Sequence, residues 1–212
     1  LDFRQLWING QKAVRARDVA DFEKMYRIIN NDPQNEILWV PAAAVKKIQK
    51  ARYAEMVLHE MWCVANLRIK SVEIQGDSAA VRFHHPESRI QFEHPWPRPM
   101  VTKDGHNSAF YLTNAMELLD EPGEWYHDIE SRKIYYYPRK GEKISKAVVP
   151  GIETLVWVEG TIDRPVKHIR FDNIAFQYTT WMRPSLQGHV PLQAGMYMTD
   201  GYKIRPSMIR KN

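Results

Sequence analysis

The alternation of apolar and polar positions predicts a β-hairpin at the start of the chain. The runs Arg4-Gln5-Leu6-Trp7-Ile8 and Ala13-Val14-Arg15-Ala16-Arg17 flank Asn9-Gly10, a pair that enters the left-handed backbone of a tight turn at little cost. The second run alternates as a half-buried strand does. Asn30-Asn31-Asp32-Pro33 reads as a turn. Pro41 then opens a predicted helix to about Arg52, because proline suits a first helical turn. Ala44, Val45, Ile48 and Ala51 form its apolar stripe. From Glu55 the period shortens to two: residues 56–59, 61–64 and 69–74 read as strands. Gly76-Asp77-Ser78 turns the chain, and residues 80–83 return as an antiparallel partner.

Residues 84–107 hold Pro86, Pro95, Pro97 and Pro99, so a long irregular loop is predicted there. Residues 109–119 read as a short amphipathic helix, with Tyr111, Leu112, Ala115, Leu118 and Leu119 apolar and Glu121-Pro122-Gly123 as its stop. Residues 125–128 and 133–137 pair through a turn at Ser131-Arg132. The last third differs. Residues 155–158, 166–171 and 174–178 are short apolar strands separated by Glu159-Gly160 and Asp172-Asn173. One coil of a parallel β-helix needs about three such strands and this much chain.

Charge and composition narrow the classes. The net charge is +5, and acidic residues accompany basic ones almost everywhere. Lys46, Lys47, Lys50 and Arg52 cover more than one helical face, the pattern of a solvated surface and not of a nucleic-acid footprint. No run reaches the roughly 18–20 apolar residues of a membrane-spanning helix. The single cysteine, Cys63, excludes an intrachain disulfide, and its neighbours Trp62, Val64 and Ala65 mark a buried structural thiol. Seven Trp and ten Tyr supply core volume and, where exposed, flat rings that can stack on a sugar.

Leu118-Leu119-Asp120-Glu121-Pro122-Gly123-Glu124-Trp125-Tyr126-His127-Asp128, continued by Ile134-Tyr135-Tyr136-Tyr137-Pro138, resembles a motif of bacterial β-helix proteins that act on polysaccharides. The opening Arg4-Gln5-Leu6-Trp7-Ile8-Asn9-Gly10 and the run from Ala13 to Arg17 resemble the start of the domain inserted into them. The chain is most similar to glycoside hydrolase family 141, which includes α-fucosidases and xylanases. The resemblance implies a mainly β chain: an antiparallel β-rich inserted domain with two short helices over residues 1–146, then the first coils of a right-handed parallel β-helix over residues 147–212. It also implies a secreted parent, periplasmic or extracellular, that hydrolyses glycosidic bonds in a complex plant cell-wall or pectic polysaccharide. Its catalytic carboxylates are expected on later coils, beyond this chain.

A glycosidase needs two carboxylates flanking the scissile bond, and no pair in this sequence is nominated. Asp120, Glu121 and Glu124 cluster, but they flank a helix stop. His84, His85, His94 and His106 lack the spacing of a zinc site, so no metal and no cofactor is expected. The substrate-contact candidates are Trp96 in the Pro/His-rich loop and Trp181, His189 and Gln193 in the loop that leaves the coil. The expected partners are a polysaccharide or oligosaccharide and the rest of the parent's β-helix, with no nucleic acid and no membrane. Two other readings stay open: a β-helix polysaccharide lyase, and a non-catalytic module that binds glycan or protein.

Overall fold

A computed structural model of the chain describes residues 3–93, 98–182, 190–191 and 197–198. The Asn9-Gly10 turn forms as its sequence predicts: Asn9 and Gly10 take φ of 52° and 81°, and they join β1 (Trp7–Ile8) to β2 (Gln11–Lys12). Next come β3 (Val14–Arg15), β4 (Tyr26–Arg27), β5 (Asn30–Asp32) and β6 (Ile37–Pro41). The helix opened by Pro41 is short. It comprises α1 (Ala42–Val45) and one 3-10 turn, Lys46–Ile48, and buries Ala44, Val45 and Ile48 as its stripe requires. The hairpins follow as β7 (Glu55–Glu60), β8 (Cys63–Gln75) and β9 (Ser78–Phe83).

Three sequence expectations fail here: residues 30–32, read as a turn, form β5 and the turn lies at residues 33–36, and two further segments differ. Residues 87–93 of the presumed loop form α2 (Glu87–Glu93). Pro86 stands just before its first turn, and Ile90 is fully buried; the other prolines lie beyond its end, so nothing breaks it. The predicted helix over residues 109–119 is instead β10 (Ala109–Thr113) followed by a 3-10 turn, Met116–Leu118. Phe110 and Leu112 face the core while Tyr111 points the other way, a period of two that the helical spacing of Leu112, Ala115 and Leu119 disguised. The slot between β4 and β7 selects the strand.

One sheet dominates, with strand order β4-β10-β7-β8-β9-β6-β5. Its two edge strands are almost consecutive in the chain, separated only by Ile28 and Ile29. The Ile28 N–H donates to the Ser108 carbonyl at 3.0 Å, and the Ile29 N–H donates to the Trp39 carbonyl at 2.6 Å. The edges are therefore drawn together and the sheet curls into a half-barrel. A bulge between Ile69 and Ser71 lets the long β8 bend across it. Inside lie Leu38, Val40, Met56, Leu58, Leu67, Val81, Phe110 and Leu112.

A smaller layer packs beside it. β11 (Glu124–Asp128) pairs with β12 (Lys133–Tyr136) and, in parallel, with β3; β13 (Ala147–Val148) pairs with β1. Its own core is Phe3, Leu6, Ile8, Ala13 and Trp125, with Phe3 and Trp125 stacked at 5.1 Å. Residues 13–18 stitch the two layers. The Val14 N–H donates to Gly123 O at 2.9 Å, Ala16 N–H to Trp125 O at 2.8 Å, and Asn114 N–H back to Ala16 O at 2.9 Å.

In the acidic cluster at the start of β11, Glu124 is structural. Glu124 accepts from the N–H groups of Arg17, Asp120 and Glu121 at 3.2–3.3 Å, so its carboxylate closes the turn that Gly123 makes. Residues 155–158, 166–171 and 174–178 form no strands in this structure. They are largely exposed, Trp157 at 76%, as is Ile162 between them at 96%. The described residues therefore do not show the predicted β-helix coil. The segment returns to the domain where Tyr178 meets Trp7 edge-on at 5.4 Å. Beyond it, β14 (Val190–Pro191) pairs with β15 (Tyr197–Met198).

Gly123 adopts φ of 94°, and a Cβ there would stand 3.0 Å from Arg139 Nε. Gly123→Ala should cost about 2 kcal/mol through backbone strain. Gly151→Ala, whose Cβ meets nothing within 4 Å, should leave the thermal midpoint unchanged in the same experiment.

Candidate functional site

The loops at one end of the half-barrel gather a charged, aromatic groove. Its first part encloses about 320 Å³ and is lined by Arg15, Arg52, Glu55, Arg68, His84 and Ile129 among others. A second part of about 220 Å³ adds Tyr126, Asp128, Glu130 and Tyr135. Arg52, Tyr53 and Asn114 line both, so the two parts adjoin. β7 brings Glu55, β8 brings Arg68, and Asn114 stands at the exit of β10. The turn after β11 and the first residues of β12 close the other side.

Glu55 is the anchor. It is 3% exposed. Arg4 grips both its oxygens, at 2.9 and 2.7 Å, and Arg15 donates to Oε2 at 2.9 Å. Burial alone would raise the Glu55 carboxyl, but the positive charges and hydrogen bonds of Arg15 and Arg4 override it and hold it at about 2. A second ion pair stands nearby: Glu87, fully buried, is gripped by Nε and Nη2 of Arg68, the latter at 2.8 Å. Burial and then the charge of Arg68 lower the pKa of His84. Asn114 has φ of 60°, a conformation asparagine tolerates better than most residues. Its side-chain amide donates to the Tyr53 carbonyl at 2.7 Å, which fixes the middle of the groove.

The far end is acidic. Asp128 accepts from Ser131 Oγ at 2.6 Å, a bond that lowers its pKa together with the Ser131 and Glu130 N–H groups. Glu130 pairs with Arg52 and accepts from Tyr53 Oη at 3.2 Å. The groove thus runs from guanidinium groups through an amide to carboxylates, with half-buried tyrosine rings beside them.

A larger pocket of about 500 Å³ lies on another side, lined by Asp18, Asp120, Glu121 and Glu124 among others. Burial, only partly offset by backbone hydrogen bonds, raises Asp18 to about 6. Yet Asp18 accepts the Leu112 N–H at 2.8 Å and Glu124 is a turn clamp, so both carboxylates serve the fold. Among the described residues, no group of three or more His, Cys, Asp or Glu could hold a metal ion.

The nominated contact residues do not meet in this groove. Trp181 is 38% exposed, and its backbone N–H donates to Gln5 Oε1 at 3.2 Å, against the small layer. Trp96, His189 and Gln193 lie outside the described residues. Cys63 is buried, as its neighbours imply, and its thiol donates to Glu60 Oε2 at 2.9 Å. Burial, reinforced by Glu60, pushes the thiol up. The groove residues were missed because each had a plainer reading: Arg15 as a strand position, Arg52 as helix surface, Tyr135 as a cross-strand aromatic.

Residues 1–139 match the family described as the GH141 insertion domain. A solved structure named "Glycoside hydrolase" is 71% identical, with a TM-score of 0.91, over 97% of this chain and 36% of that one. The chain therefore spans little more than a third of that protein's length. No curated protein matches it.

Glu60 gives this region a pH signature. It accepts from Cys63 and from Gln91 Nε2, the latter at 2.6 Å, and burial raises it to about 7 despite both bonds. A carboxyl raised on folding favours the folded state while protonated, and that benefit is lost as pH rises from its ordinary value of 4.5 through about 7. Glu60→Gln should therefore flatten the fall in thermal midpoint between pH 5 and about 8. An unchanged slope contradicts the assignment.

Proposed function

We propose, from the premise that this chain belongs to the GH141 insertion-domain family, that it is the non-catalytic part of a glycoside hydrolase acting on a complex plant cell-wall or pectic polysaccharide. The observation that carries the reading is the 71% identity, over nearly the whole chain, to part of a longer protein named glycoside hydrolase. In this reading residues 147–212 begin a right-handed parallel β-helix. The apolar side chains exposed along residues 152–176, Trp157, Ile162 and Phe171 among them, become buried against the following coils. A polymer of that kind is met outside the cytoplasm, which makes the periplasm or the cell exterior the place of action.

Within the described residues three of the carboxylates that line pockets, Glu55, Asp18 and Glu124, are held by the fold. Glu55 is locked by two arginines, and Asp18 and Glu124 cap backbone N–H groups. A glycosidic bond needs one carboxyl free to give a proton and another free to attack or to activate water. In this reading the reaction belongs to another part of the parent, and this chain shapes and contacts substrate. The glycan-binding reading is compatible with that role, and the tyrosine-lined groove favours it.

The test sets this 212-residue chain beside the full-length solved relative on aryl glycosides and plant polysaccharides. The expected result is cleavage by the long protein and none by this chain. Turnover by the purified chain would overturn the non-catalytic assignment, and an inert long protein would favour a binding module.

A further inference from the structure

The outer face of the half-barrel carries another polar depression, which shares no lining residue with the groove. Leu38 and Val40 are fully buried in the core, so the alternation of β6 places Trp39 between them on the opposite face, where it is half-buried. Across the strands Trp39 is paired with Asn30 of β5 on one side and Ala80 of β9 on the other. Ser78, two residues before Ala80, shares that face and is paired with Gln75 at the end of β8. With Ile29, the side chains of Asn30, Trp39, Gln75 and Ser78 line about 380 Å³. A further depression of about 390 Å³, lined by Asn31, Arg98 and Thr102 among others, meets the first at Asn30.

The lining selects by hydrogen-bond character. Among the described residues no carboxylate lines either depression, and the one charged lining side chain is Arg98. Amides and hydroxyls both donate and accept, which suits a ligand whose groups also do both. An inorganic anion mainly accepts, and an ammonium only donates. The indole adds a flat apolar surface. An uncharged pyranose answers both demands, with hydroxyls at its rim and C–H bonds on its faces. Glu73, paired with Ala80, and Asp77, in the turn after Gln75, border this end and disfavour an anionic sugar. An added peptide strand fits less well, because β5 has only three residues and the Asn31 N–H already donates to Asn30 Oδ1 at 2.9 Å.

We propose that this face binds an uncharged glycan chain of equatorially substituted pyranoses, with one ring stacked on Trp39 between the Asn30 and Gln75 amides and the next lying toward Arg98 and Thr102. The inference rests on the glycan-contact reading and adds a binding surface and the class of sugar it takes.

The experiment follows the Trp39 indole N–H by two-dimensional NMR, its resonance identified by its loss in Trp39→Phe. The 212-residue chain is titrated with cellotetraose, with tetragalacturonate and with the extended peptide hexathreonine. Cellotetraose should shift the resonance saturably, and tetragalacturonate should bind at least about fivefold more weakly. Gln75→Ala removes an exposed side chain, so it should weaken cellotetraose about fivefold without moving the thermal midpoint. A Trp39 resonance unmoved by cellotetraose overturns the proposal, and a shift by hexathreonine alone overturns it in favour of strand addition at β5. Equal affinity for tetragalacturonate overturns the uncharged class, and an unchanged affinity in Gln75→Ala overturns the placement of the sugar. All of these outcomes are read on this chain, so they stand apart from whether the long relative cleaves polysaccharide.

Discussion

Glu55 lies at the start of β7, in the main sheet, while both of its cationic partners come from the first residues of the chain, which belong to the smaller layer. Burying three ionised groups together is costly. It is tolerated because Arg4 binds both oxygens and Arg15 adds a third bond. The result is directional. The small layer can meet the half-barrel in only one register, and β3 then pairs with β11 on one side while Arg17 bridges Thr113 on the other.

From that junction the groove follows. Arg15 reaches the pocket because its guanidinium is held at Glu55, and the turn after β11 stands opposite because β11 is paired to β3. Asn114 lies between them, its backbone tied to Ala16 and its side chain to Tyr53. The first two-thirds of the chain therefore form a rigid platform that matches the GH141 insertion domain. Residues 152–178 carry several apolar side chains outward, Trp157 and Ile162 among them.

Much of the fold was legible from short-range signals. Asn9-Gly10, Gly76-Asp77 and Ser131-Arg132 each marked a turn, and the alternations at residues 56–59 and 80–83 marked their strands. The failures share a cause. In residues 109–119 a few apolar positions satisfied both periods, and only the slot between β4 and β7 decided between them. Proline density obscured α2, since Pro86 begins a helix as readily as it breaks one. The groove was the least legible part. Arg15, Arg68, Asn114 and Tyr135 are far apart in sequence, and each does ordinary structural work where it stands. Only the half-barrel's curl brings them together, and nothing in local pattern encodes that meeting. Of the acids at Asp120, Glu121 and Glu124, it is Glu124 whose carboxylate caps the turn's N–H groups.

The most direct measurement of this account is native-state hydrogen exchange on Glu55→Gln. The neutral amide keeps the shape of the carboxyl but leaves Arg4 and Arg15 with a buried partner that carries no charge. The account predicts that the amides of Val14 and Ala16, which bond to Gly123 and Trp125, lose about 3 kcal/mol of protection. Exchange at those two amides indistinguishable from the unsubstituted protein would contradict it, and the junction would then rest on the Phe3–Trp125 core instead.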